Sequence, residues 1–201
     1  MSVVLRHLLA IALLPFVVLV LVPRWLLRAL AAVDAHWSGL WLLGIGLFAC
    51  GLALFAWCLS LFVHVGKGTL APWDPTQRLV AVGPYRHMRN PMITGVVTML
   101  LGEALFFGSW VVALWAGAFI AINHVYFVLS EEPGLERRFG GSYCAYKANV
   151  PRWVPRLTPW VGVGPSESET KLTYPAAEAT GVICAVKPRR ARRLRRRLAS
   201  A

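Results

Sequence analysis

The sequence predicts an all-α integral membrane protein of about four transmembrane helices, two of them paired as a helical hairpin, with a cytoplasmic C-terminal segment. Three observations lead there. First, 57% of the 201 residues are hydrophobic and only 15% charged, with a mean hydropathy of +0.58. Soluble domains run at about 45–50% apolar and about 25% charged, so a water-soluble fold is excluded on both counts. Second, several apolar stretches reach the roughly 20 residues that a helix needs to cross a bilayer. Third, 21 Lys and Arg against 9 Asp and Glu give a net charge of +12, and these cations are distributed unevenly along the chain. Nucleic-acid binding would account for the charge, but not together with this hydropathy.

The first element is an apolar stretch between Arg6 and Arg24, interrupted by His7, Pro15 and Pro23. Arg24, Trp25 and Arg28 stand between it and the small residues Ala29-Leu30-Ala31, which is poor grammar for a cleaved signal peptide, so a retained helix is expected. Residues 1–36 thus form a first span and an outer loop carrying Arg24, Arg28 and Asp34. The second span lies within 37–64, where Trp37 to Val63 run for 27 residues without a formal charge. His64 and Lys67 end it at the interface. Gly44-Ile45-Gly46 and Gly51 favour close helix packing over nucleotide binding. From Met92 to Leu129 the only formal charge in 38 residues is Glu103. That is too long for one span, and Phe107-Gly108-Ser109-Trp110 offers a turn, so a hairpin of two helices, about 92–107 and 109–130, is expected. With the N-terminus inside, Arg24 and Arg28 are the only cations left in an outer loop, as the positive-inside tendency demands. Both termini are therefore expected in the cytoplasm, and Cys50, Cys58, Cys144 and Cys184 read as reduced thiols with no disulfide or zinc spacing. No metal site is expected.

Residues 65–160 form the core of the chain, and two segments in it are too specific for connectors. One is Gly83-Pro84-Tyr85-Arg86-His87-Met88-Arg89-Asn90-Pro91-Met92. Pro91 suits a first helical turn, where its missing N–H has no partner to lose, and the paired turn signals predict Tyr85 to Arg89 presented at the membrane face. The other begins Glu131-Glu132-Pro133-Gly134-Leu135-Glu136-Arg137-Arg138-Phe139-Gly140. Two carboxylates at a cytoplasmic helix end oppose both the charge bias and the helix dipole. They need compensation, either from Arg137 or Arg138 or from a cationic ligand.

These two segments resemble the signature of the isoprenylcysteine carboxyl methyltransferase family, which is related to the phospholipid N-methyltransferases. The resemblance is carried by Gly83, Pro84, Tyr85, Arg89, Asn90, Pro91 and Gly95, then Glu131, Glu132 and Leu135. It continues through Phe139, Gly140, Tyr143, Tyr146, Val150, Pro151, Arg152 and Pro155. It covers about residues 80–156. Ile93 stands where the family usually has Tyr, so one hydroxyl is missing. The resemblance implies a membrane-embedded methyltransferase that binds S-adenosylmethionine at the cytoplasmic face and methylates a lipophilic acceptor. Arg89 and Glu132 are implied at the reacting centre. Glu131 and Glu132 would compensate the cofactor's cationic groups, and Arg89 would take its carboxylate as a bidentate pair. Tyr85, Asn90 and Pro91 would complete that site, with Tyr143, Tyr146 and Arg152 as a lid. His124, two helical turns before Glu131, would line the same pocket. A carboxylate acceptor needs no base, whereas an amine or thiol must first lose a proton. His87, His124 and Glu103 are the candidate bases, and with none compelling a carboxylate or an easily ionised thiol is favoured, the carboxylate first. Phospholipid or small-thiol methylation, and a non-catalytic protein of the same fold, are the alternatives.

Residues 161–201 form a basic tail in which seven arginines fall between Arg189 and Arg197. Disorder in isolation and attraction to anionic headgroups are expected, with no specific nucleic-acid partner. Deleting 165–201 is expected to spare catalysis.

Overall fold

The computed structural model describes residues 15–30, 39–66 and 79–161. The first half of the first apolar stretch, the loop around Lys67 and the basic tail with Cys184 lie outside them. Helices dominate, and the described residues contain no strand.

A π-helical turn, Val17–Leu21, leads into α1 (Val22–Leu30). α1 carries Arg24 and Arg28, which sequence reasoning assigned to an outer loop, and Trp25 between them. A helix accommodates both arginines because they are exposed, so no charge is buried. Then α2 (Trp41–Leu61) extends through a second π-helical turn, Phe62–Gly66. A single 3₁₀ turn, Gly83–Arg86, precedes α3 (Pro91–Phe107). Pro91 occupies the start of α3 as expected, and Gly108 ends it in the left-handed conformation at φ 58°. The chain then reverses into α4 (Trp110–Tyr126), so the hairpin falls where the Gly108-Ser109 turn predicts it. The helix does not stop before Glu131. A π-helical turn, Phe127–Glu131, carries it into α5 (Glu132–Asn149), which is broken only by the non-helical Gly140 at φ 50°, ψ −128°.

Among the described residues, two helices are long and apolar enough to cross a membrane: α2, and the continuous stretch Trp110–Asn149. The apolar part of the latter ends near Leu129, so Glu131 and Glu132 lie beyond it. At 17 residues α3 is a shorter apolar helix.

Packing of α2 against α3 depends on four glycines. A Cβ at Gly51 would stand 2.6 Å from the Gly95 carbonyl oxygen, and one at Gly44 2.7 Å from that of Gly102. The reciprocal positions on α3 are as tight: 2.9 Å from Gly51 for Gly95 and 2.7 Å from Gly44 for Gly102. Both pairs are spaced by two helical turns, so the backbones touch twice along one seam, as small residues permit inside a membrane. Gly46 faces open space. Behind this seam Val96, Val97, Met99 and Leu100 of α3 pack with Val18, Ala116 and Phe119. Ile93 joins that apolar cluster, as does Trp115, whose indole Nε1–H donates to the Val18 carbonyl at 3.1 Å.

Candidate active site

The two segments singled out in the sequence meet at one end of this bundle. Gly83, at φ +55°, lets the chain turn tightly beneath Leu61 and Trp57. The turn drives Tyr85 inward rather than presenting it at the surface: Tyr85 is buried among Cys58, Val80 and Met92. Burial, reinforced by the neighbouring Cys58, holds its phenol well above the ordinary range. Its carbonyl accepts a 2.7 Å bond from the Tyr146 hydroxyl. Three backbone bonds then tie this loop to the segment after α5: Arg89 N–H to Pro151 O, Arg156 N–H to His87 O and Trp160 N–H to Arg86 O, each 2.9 Å. The Gly140 break turns the second half of α5, so that Tyr143, Tyr146 and Val150 form a buried cluster with Leu135, Phe139 and Trp160 around them.

At the centre is Glu132, a buried carboxylate. Its Oε1 accepts Arg89 Nη1 at 2.7 Å and Arg152 Nη2 and Nε at 2.6 and 2.8 Å; its Oε2 lies 2.9 Å from Lys147 Nζ. Burial alone would raise the carboxyl, but the bonds from Lys147 and Arg152 and the nearby Arg89 outweigh it and hold it below the usual range. Lys147 also reaches Glu136 at 2.7 Å. The compensation therefore comes from Arg89, Lys147 and Arg152, not from the sequence neighbours expected. Arg137 donates instead to the Pro133 carbonyl, and the guanidinium of Arg138 stacks on the Phe139 ring.

Glu131 differs from its neighbour. It has no ion-pair partner among the described residues, and desolvation followed by repulsion from Glu132 pushes its carboxyl up to about 7. Arg89 keeps one nitrogen, Nε, buried with no hydrogen-bond partner. Of the other expected residues, Asn90 caps α3 through its backbone carbonyl rather than its side chain, and Pro91 is fully buried behind it. His124 is brought to Arg152: its Nδ1 lies 3.4 Å from Arg152 Nη1 and accepts Trp153 Nε1–H at 3.1 Å. The structure thus gathers Arg89, Glu132, Tyr143, Arg152 and His124 at one place. Glu131 adjoins them, whereas Tyr85 and Tyr146 support the loop from behind. Glu103 lies apart on α3.

Sequence reasoning missed Lys147, Glu136 and Trp153. Lys147 sits far from Glu132 along the chain, and only the Gly140 break makes their approach readable. One expectation about the thiols is also overturned. Cys144 on α5 is disulfide-bonded, because a bond of this kind depends on approach in space that cysteine spacing does not report.

The same loop also lines a mostly apolar cleft of about 420 Å³, whose walls include Leu54 and Trp57 of α2, Pro84, Arg86, His87 and Met88, and Pro159. Among the described residues no group of His, Cys, Asp and Glu is arranged to hold a metal ion.

A protein-family model described as phospholipid methyltransferase matches residues 40–142, from the start of α2 to just past the Gly140 break. No curated protein matches the chain.

Proposed function

The chain belongs to the phospholipid methyltransferase family, and from that membership we propose that it is a multi-pass, membrane-embedded methyltransferase that uses S-adenosylmethionine at its cytoplasmic face to methylate a lipophilic acceptor. The observation that supports this reading is a carboxyl outside the ion cluster, next in sequence to Glu132, together with an unpartnered nitrogen inside it. Glu131 is a carboxyl without a cationic partner among the described residues, and Arg89 holds a buried Nε without an acceptor. S-adenosylmethionine carries a sulfonium, an ammonium and a carboxylate, so the donor set fits it. Glu131 would hold the cationic side and Arg89 the carboxylate.

Glu132 takes a different part, because its oxygens already accept from three cations of the chain itself. It positions Arg89 and Arg152 and keeps their charges from repelling the sulfonium. Tyr146 fixes the loop that carries Arg89, and Arg152, held by both Glu132 and His124, closes the site from the segment after α5. Bound here, the cofactor supplies a methyl carbon already activated by its positive sulfur. The protein's task is then alignment of the acceptor's nucleophile with that carbon, in surroundings from which water is largely excluded. The assay is transfer of labelled methyl by the purified full chain to prenylcysteine, phospholipid and thiol acceptors. Label in a lipid extract is expected, and its absence from all three classes would refute the proposal.

A further inference from the structure

Two residues on the loop wall of the 420 Å³ cleft are bonded to the segment after α5 in both directions. Trp160 N–H donates to the Arg86 carbonyl at 2.9 Å, and Arg86 Nε donates back to the Trp160 carbonyl at 2.8 Å. Arg156 N–H likewise donates to the His87 carbonyl at 2.9 Å. His87 Nδ1 returns a 2.7 Å bond to the Arg156 carbonyl, which can only accept and so sets the ring proton on Nδ1. These reciprocal bonds hold the Arg86 side chain by its Nε and spare Nη1 and Nη2, which have no acceptor among the described residues. A guanidinium held in this way offers its remaining fork to an anion with little further ordering. Arg86 is the one formal charge among the described residues on these walls, so no carboxylate competes for it there. None of Arg89, Glu131, Glu132, Lys147 and Arg152 lines the cleft, which is therefore separate from the ion cluster.

The other walls indicate what carries the anion. Leu54 and Trp57 belong to α2, a helix long and apolar enough to cross a membrane. They lie about 10 and 6 Å, along the axis, from its C-terminal end. Trp57 is half exposed, at the depth where an amphipathic ring marks the boundary between hydrocarbon and headgroups. Pro159 lines the same cleft, so the segment after α5 runs at that depth too. On either side of Pro159 stand Leu157, 99% exposed, and Val161, 78% exposed. Large apolar side chains this bare on irregular chain suit the headgroup layer, which covers them while leaving the unpaired peptide groups wet. The cleft thus opens toward lipid, with a cation on one wall and leucine and tryptophan on another.

We propose that this cleft is a binding site for an anionic phospholipid that takes no part in the reaction, its phosphate on the Arg86 fork and an acyl chain along Leu54 and Trp57. A lipid seated there joins α2 to the loop before α3 and to the segment after α5. The site is independent of the methyltransferase reading, because no residue assigned to the cofactor's charged groups lines it. It also differs from the diffuse attraction of the arginine-rich tail, which needs no cleft.

The test is native mass spectrometry of the purified full chain with dioleoylphosphatidylglycerol, dioleoylphosphatidylcholine or inorganic phosphate. Concentrated ammonium acetate screens attraction to the tail. Wild type is expected to retain phosphatidylglycerol about tenfold more tightly than phosphatidylcholine, whose own cation offsets its phosphate. Arg86→Gln keeps an amide donor for the Trp160 carbonyl and removes the charge, and it should erase that preference. Leu54→Trp leaves the guanidinium in place and fills the apolar wall, and it should weaken phosphatidylglycerol by a similar factor. Equal retention of both lipids by wild type would overturn the proposal. Undiminished phosphatidylglycerol on both variants would do so too, by placing the lipid on the tail. Displacement of the lipid by millimolar inorganic phosphate would also overturn it, since the cleft would then take free anions.

Discussion

Replacing Glu132 by Gln keeps the shape of the side chain and removes the single negative charge on which Arg89, Arg152 and Lys147 converge. The cost follows from how dry each cation is. Breaking a buried ion pair from one side costs about 3–5 kcal/mol, because a charge is left uncompensated. The Arg89 side chain is 12% exposed and already has an unpartnered Nε, so it should lie near the lower end of that range. Arg152 is somewhat wetter, and Lys147 is 34% exposed and retains Glu136. Each of these adds no more than about 1 kcal/mol after solvent screening. The sum is a destabilisation of about 3–5 kcal/mol, measured by reversible unfolding of the detergent-solubilised protein at pH 7. Glu136→Gln is the internal control: it has one described ion-pair partner, Lys147, and should cost about 1 kcal/mol or less. The pH dependence gives a second check. Glu132 is held below its unfolded value, so its contribution is present above about pH 4.3 and is lost as pH falls through the lower folded value. Glu132→Gln should flatten that acid limb. A variant within 1 kcal/mol of wild type, or no worse than Glu136→Gln, would refute the view that this carboxylate organises the site.

Glu131 should behave in the opposite sense. Its carboxyl is raised to about 7, so the folded state holds a proton that the unfolded chain has released between about pH 4.3 and 7. Stability should fall as pH rises through that window, and Glu131→Gln should be more stable than wild type at pH 8 by about 1–3 kcal/mol in the same unfolding assay. Along the glycine seam, Gly51→Ala and Gly95→Ala should each cost about 1–3 kcal/mol, because the added methyl meets backbone that cannot rotate away. Gly46→Ala, into open space, should be neutral or slightly stabilising in parallel melts; equal effects at all three positions would contradict the seam. Trp153→Phe keeps the ring beside Phe127 but removes the bond to His124 Nδ1, and should cost about 1 kcal/mol.

What could be read in the sequence was what local rules control. The turn at Gly108-Ser109 requires a left-handed residue, and Pro91 fits only a first helical turn, so both announced themselves. Gly44 and Gly51 signalled close packing without naming the partners Gly95 and Gly102, since the seam needs two segments brought together. The carboxylates at 131 and 132 were expected at a helix end because the apolar run stops at Leu129, although charge bias and helix dipole both disfavour them there. Burial beside Arg89 and Arg152 outweighs those preferences, and the helix runs on through a π-helical turn. Arg137 and Arg138 were the natural partners by distance along the chain, and the actual partners lie far from Glu132 in sequence. The ring tautomers of His87 and His124 could not be read at all, because each is set by a group some seventy or thirty residues away.

The central claim is tested most directly by equilibrium binding of S-adenosylmethionine to the purified full chain, with Glu131→Ala and Glu132→Ala beside wild type. The account predicts saturable binding by wild type that Glu131→Ala weakens at least about tenfold, because a direct partner of the cofactor's cation is removed. Glu132→Ala should weaken it as well, by releasing Arg89. No binding by wild type at millimolar cofactor, or identical affinity in all three proteins, would contradict it.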